Sequence, residues 1–138
     1  MTTEKQKKFL SENRYCVVGY NRKEGPPALS PVYYVMDGDD LLISTQAGRA
    51  KGRVLKDGRD VSVCVLAEGP HPGAPYLTIY GKAYIESEGA VDLMMRVGTA
   101  MTGNPVPESA RPALEKRAKD EQRVVLRVKP ETNIGRDG

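Results

Sequence analysis

The sequence predicts a mainly β domain: six short strands, mostly antiparallel, curled into a closed or split barrel with helices at its margins. Three observations carry this. Six segments show strand-like apolar alternation between turn signals. Their connections are mostly short, as hairpins require. The helical segments do not alternate with the strands, which argues against a doubly wound sheet. At 138 residues the chain is expected to be one domain, 1–138, large enough for a single core.

The elements follow in order. Thr3 with Gln6 forms a capping-box pattern, predicting a helix over 4–12 that packs lightly through Phe9 and Leu10. RYCVVGY (14–20) and ALSPVYYVM (28–36) read as strands around the turn NRKEGPP, and DGDD turns the chain into a third, LLIST (41–45). These three are expected to form a meander. A helix is expected over 49–57, ended by Gly58. DVSVCVLA (60–67) alternates, with Val61, Val63 and Val65 on one face. YLTIYGKAYI (76–85) puts Leu77, Ile79, Gly81, Ala83 and Ile85 on a core face, and Tyr76, Thr78, Tyr80, Lys82 and Tyr84 on a polar-aromatic one. Ser87 is read as the cap of a helix reaching about residue 101, and a second helix covers about 109–119. QRVVLRVKP (122–130) is the last strand, and ETNIGRDG reads as loop.

Composition removes several function classes. No apolar run approaches the ~18 residues of a membrane span, and MTTEKQKKFLSEN has no apolar signal core, so a cytoplasmic protein without a membrane partner is expected. Cys16 and Cys64 lie in apolar runs without metal-ligand spacing and read as small hydrophobes; no metal is expected. His71, in the turn-rich GPHPGAP, reads as solvated. There is no P-loop, no metalloprotease helix, no nucleophile elbow and no spaced carboxylate pair. Chemistry on this chain's own side chains is therefore not indicated, which leaves a borrowed cofactor or no catalysis. Basic residues are not interleaved with aromatics, so no nucleic-acid partner is expected.

One stretch stands apart. Residues 49–60 hold Arg49, Lys51, Arg53, Lys56 and Arg59 against Asp57 and Asp60, a net charge of +3, equal to that of the whole chain. A strand ending in Ser44 and Thr45 precedes it. Cations at a helix start oppose the helix dipole, whereas a phosphate there would accept free N–H groups, hydroxyls and both cations. Two readings stay open: a surface helix with solvated arginines, or an anion site. Pro31, inside a strand pattern, implies an edge, a bulge or a gap in the ladder.

GPPALSPVYYVMDGDDLLISTQAGRAKGRVLKDGRDVSVCV (25–65) resembles the core of the FMN-binding split-barrel superfamily, the relatives of pyridoxamine 5'-phosphate oxidase, and within it the deazaflavin-dependent reductases that use coenzyme F420. YLTIYGKAYI extends the match more weakly, and Val54 and Gly58 depart from the Asn and Pro of many relatives. The resemblance implies a six-stranded antiparallel split β-barrel, homodimeric, with two cofactor sites at the dimer interface. It implies that Arg49 and Lys51 grip the cofactor phosphate, with Ala50 giving backbone contacts. Ser44, Thr45 and Gln46 would lie beside the ribityl chain and ring, and the backbone of Leu29, Ser30, Pro31 and Val32 would run along the ring. Tyr76 and Thr78 would come from the other subunit. The implied activity is hydride transfer from reduced F420 to a small electron-poor acceptor. FMN is the alternative cofactor, and a non-catalytic flavin-binding module the alternative role. No catalytic side chain is assigned. Tyr76 or a neighbouring tyrosine is expected to stack rather than donate a proton. Arg53, Lys56 and Arg59 stay unassigned.

Overall fold

The computed structural model describes residues 2–136. Helix α1 (Glu4–Glu12) leads into β1 (Tyr15–Tyr20), β2 (Ala28–Tyr33), β3 (Val35–Asp37) and β4 (Asp40–Gln46). One helical turn, α2 (Ala50–Val54), precedes β5 (Arg59–Leu66) and β6 (Tyr76–Glu86). Then come α3 (Ala90–Thr102), a 3-10 turn at Glu108–Ala110, α4 (Arg111–Asp120) and β7 (Arg123–Arg136). The strands form one antiparallel sheet in the order β2-β1-β5-β6-β7-β4-β3.

Mainly β, antiparallel and helix-flanked is therefore correct, but the sheet has seven strands and not six. The predicted strand 28–36 is divided at Tyr34. Residues before it pair with β1, and residues after it pair with β4. The expected pairings of 28–36 with both 14–20 and 41–45 are present, but different halves of it make them, so β4 pairs with β3 and β7 and not with β2. The division has a physical cause. β2 and β3 are the two edges of the sheet and only Tyr34 separates them, so the sheet must curl until its edges meet there. Tyr34 is 2% exposed. Its N–H donates to the Arg14 carbonyl at 3.0 Å, and its hydroxyl donates to the Leu10 carbonyl at the end of α1 at 2.6 Å.

Inside the curl lie Val18, Ile43, Val63, Leu77, Ile79, Leu126 and Val128, all fully buried. A second apolar cluster joins Leu42 and Val125, on the other face of β4 and β7, to Leu93 of α3. Arg14 fastens α3 by donating to the Ala100 carbonyl at 3.0 Å while paired with Glu68. Arg96 of α3 donates to the Met36 carbonyl. Arg127 of β7 clasps Asp37, Asp40 and Glu86, tying the β3–β4 hairpin to β6.

Other expectations are refined. The capping box at Thr3 and Gln6 is present. The cap of α3 is Gly89, in the left-handed region, and not Ser87. The segment read as a terminal loop is strand through Arg136; Gly135 lets it lie so close to Tyr76 that an added Cβ would collide with that residue's carbonyl oxygen. The expected helix 49–57 shrinks to Ala50–Val54. What holds that turn is Gly52: an added Cβ would meet the Gln46 carbonyl oxygen and lie 2.8 Å from the Ala47 Cα. The sheet also keeps one exposed face on which two rows of side chains carry no charge, next to a third row that holds the Asp60–Lys82 ion pair. Across five strands run Leu29, Gly19, Ser62, Tyr80 and Thr132, then Pro31, Val17, Cys64, Thr78 and Ile134. Leu29 is 74% exposed and Ile134 54%.

Two substitutions test this frame by urea denaturation. Tyr34→Phe leaves the buried Leu10 carbonyl unpaired and is expected to cost about 1–3 kcal/mol; a loss within error would remove Tyr34 as the seam. Gly52→Ala is expected to cost about 1–3 kcal/mol by overpacking, while Lys56→Ala, exposed on the same segment, leaves the midpoint unchanged.

Candidate functional site

Along part of the curl two strands lie side by side without a ladder between them. β2 pairs only with β1, and Ser44, Thr45 and Gln46 pair only with β7. Pro31 accordingly sits in an edge strand, as its missing N–H requires. The gap between β2 and β4 brings together segments distant in sequence. Lys51 Nζ of α2 donates to Ser30 Oγ of β2 at 2.9 Å, so the basic stretch and the proline-containing strand meet.

Around that contact the charge is one-sided. Arg49 donates Nε to Gln46 Oε1 at 3.0 Å and its N–H to the Gln46 carbonyl at 3.0 Å. Among the described residues neither Arg49 nor Lys51 has a carboxylate at ion-pair distance. Burial pushes the Lys51 ammonium below its usual range, and Arg49 and Arg123 push it further the same way. Arg123 is the residue the sequence reading missed. It opens β7 directly opposite Gln46. Its only signal in sequence is a basic residue at the start of the last strand, and the pairing that places it is non-local.

The sequence-predicted residues divide by face. Ser30 and Val32 pair with the buried Val18 and Cys16 and so take the inner face; Leu29 and Pro31 take the outer face. Thr45 is buried, 4% exposed, while Ser44 turns to the helix side with Val125. Ala50 is exposed at the start of α2. Tyr76 and Thr78 lie on β6, paired with Leu66 and Cys64 on the outer face, away from the Lys51–Ser30 contact within this chain. Burial pushes the Cys16 thiol up to about 12, consistent with an inert core residue. Arg53 and Lys56 are exposed without a carboxylate partner among the described residues, and Arg59 belongs to β5.

Beside the gap, on its helix side, opens a chamber of about 400 Å³. Val32, Tyr33 and Ser44 form its sheet wall, and Met94, Val97 and Met101 of α3 its roof. Leu114 and Arg117 of α4, with Arg123, close one end. Tyr33 shares a hydroxyl contact of 2.6 Å with Tyr15, its register partner, and that bond raises its pKa. The arrangement sets cations without a carboxylate partner beside hydroxyls at a break in the ladder, next to open strand edges and an adjoining apolar space. Unpaired cations with hydroxyls fit a cofactor phosphate, and free edges fit the polar rim of a flat ring.

Among the described residues no helix is long and apolar enough to cross a membrane. No curated protein matches the sequence. Solved structures that resemble it include conserved hypothetical protein Rv2991 from Mycobacterium tuberculosis, at 19% identity over 98% of this chain and 84% of that one, with a TM-score of 0.81. An F420 reductase matches at 20% identity, covering 93% and 94%, with a TM-score of 0.69. A FAD and heme binding protein from Mycobacterium smegmatis matches at 18% identity, covering 95% and 68%, with a TM-score of 0.62. At such identities these likenesses show the fold. The family model described as pyridoxamine 5'-phosphate oxidase matches residues 2–134, nearly the whole chain, and the protein belongs to that family.

Proposed function

We propose that the protein is an oxidoreductase that binds a phosphate-bearing deazaflavin, coenzyme F420, and reduces a small electron-poor acceptor. The observation that carries this is the pair Arg49 and Lys51, without a carboxylate partner among the described residues, with Lys51 bonded to Ser30 across the unpaired β2–β4 gap and Arg49 bonded to Gln46 at the end of β4. When bound, such a cofactor supplies a hydride. The residues of this chain do the rest. Lys51 and Arg49 hold the phosphate, and Ser30 and Ser44 offer hydroxyls beside it. The free edge of β2 from Leu29 to Val32 meets the ring, with Thr45, Gln46 and Ala50 completing the strand-end cradle. Exposed Arg53 and Lys56 favour F420, whose oligoglutamate tail adds carboxylates beyond the phosphate. FMN remains the second reading, because the same cations fit its single phosphate.

Two copies of the chain pack, in this reading, through the exposed face of β2, β1, β5, β6 and β7. Leu29, Leu66, Tyr80 and Ile134 expose apolar surface on this face, which is what an interface buries. That packing brings Tyr76 and Thr78 of one protomer to the gap of the other and excludes water from the ring. The cytoplasm is the proposed location.

The test is a fluorescence titration of the purified protein with F420 and with FMN. Arg49→Ala combined with Lys51→Ala is expected to weaken cofactor binding roughly a hundredfold or more, as loss of two charged hydrogen bonds implies. Unchanged affinity would remove the assigned phosphate site, and tight FMN binding without F420 binding would transfer the proposal to FMN.

A further inference from the structure

We propose that the chamber beneath α3 and α4 binds a small apolar molecule carrying one carboxylate, and that this molecule is the acceptor; only the second half rests on the cofactor reading. At about 400 Å³ the chamber lies in the range of small-molecule sites. Its roof is aliphatic and thioether side chains and its sheet wall adds Val32 and the Tyr33 ring, which select an apolar body. The charged groups, Arg117 and Arg123, are together at one end.

Arg117 and Arg123 both line the chamber, and one carboxylate serves both. Arg117 donates Nε to Glu121 Oε2 at 3.0 Å, and Arg123 donates Nε to Glu121 Oε1 at 2.8 Å. The two cations hold Glu121 charged, pulling its pKa down. This end therefore keeps one uncompensated positive charge, with Lys51 close enough to Arg123 to add to it. Among the described residues the terminal guanidinium nitrogens of Arg117 and Arg123 donate to no protein acceptor, so a bidentate carboxylate finds donors already placed. Glu121 orients both forks without occupying them.

Position assigns the role. Val32 and Ser44 belong to the chamber wall and also to the strands that flank the gap. A molecule in the chamber thus lies against whatever fills the gap. An acceptor there takes a hydride from the reduced cofactor and a proton from solvent, and is reduced by two electrons as the cofactor is oxidised by two.

The experiment uses anilinonaphthalene sulfonate as a fluorescent probe on the cofactor-free protein, displaced by naphthoate or by the uncharged naphthyl methanol. Naphthoate is expected to bind roughly tenfold tighter than the alcohol, the effect of one charge-assisted hydrogen-bonded pair. Arg117→Ala should abolish that preference while leaving alcohol binding in place, and Glu121→Gln should increase it. Equal binding of the two ligands, or a preference unchanged in Arg117→Ala, overturns the inference. General loosening of the helices would weaken both ligands together and leave their ratio intact, which also overturns it. Repeating the titration with FMN or F420 added separates the two proposals. Naphthoate still bound beside the cofactor supports the acceptor role, and cofactor that displaces it overturns that role. Naphthoate binding without any cofactor binding sinks the cofactor reading alone.

Discussion

The two edges of the sheet are separated in the chain by one residue, Tyr34. The sheet cannot lie flat with β2 and β3 at opposite ends and a single buried tyrosine between them. Curling brings the edges together, and the Tyr34 hydroxyl on the Leu10 carbonyl fixes α1 over the join. Yet the join holds at one point only. Beyond it β2 and β4 diverge, and the strand edges facing each other there belong to no ladder. Free edges invite pairing with other chains, and Pro31 blunts the one on β2.

The functional geometry follows from that partial closure. A closed ladder would have left no place for Lys51 to reach Ser30 between strands. α2 is too short for a dipole argument, so the positive character rests on side chains. Gly52 keeps the turn pressed on the end of β4, which places Arg49 and Lys51 over the gap, and β7 delivers Arg123 from the far side. Burial first, and then Arg49 and Arg123, which come from segments distant from each other in sequence, disfavour the charged state of Lys51. A bound anion relieves that cost.

Much of the fold was legible because its signals are local. Alternation in β5 and β6 assigned their inner faces correctly, since side chains alternate strictly along a strand. The capping box set the start of α1. What was not legible depends on partners far along the chain. Nothing in ALSPVYYVM announces that its two halves pair with different strands, because both halves have strand propensity. The tail ETNIGR carries weak strand character and becomes strand by docking on β6. The basic stretch 49–60 stood out by charge density, the family resemblance singled out Arg49 and Lys51 within it, and of the edge, bulge or gap that Pro31 implied the structure has the edge. Arg123, Arg117 and Glu121 did not stand out, because only the β4–β7 register and the packing of α4 bring them to the chamber.

The measurement closest to the central claim is the titration of Lys51 by NMR, in the free protein and with FMN, F420 and inorganic phosphate in turn. In the free protein its pKa should lie below the ordinary 10.5. Below the folded pKa the charged lysine then weakens the fold, and the weakening disappears as pH rises through that value toward the unfolded one. Binding a phosphate should raise the pKa, so that binding takes up protons on the alkaline side. A pKa near 10.5 in the free protein, or one unmoved by every phosphate that binds, would contradict an anion site at the gap.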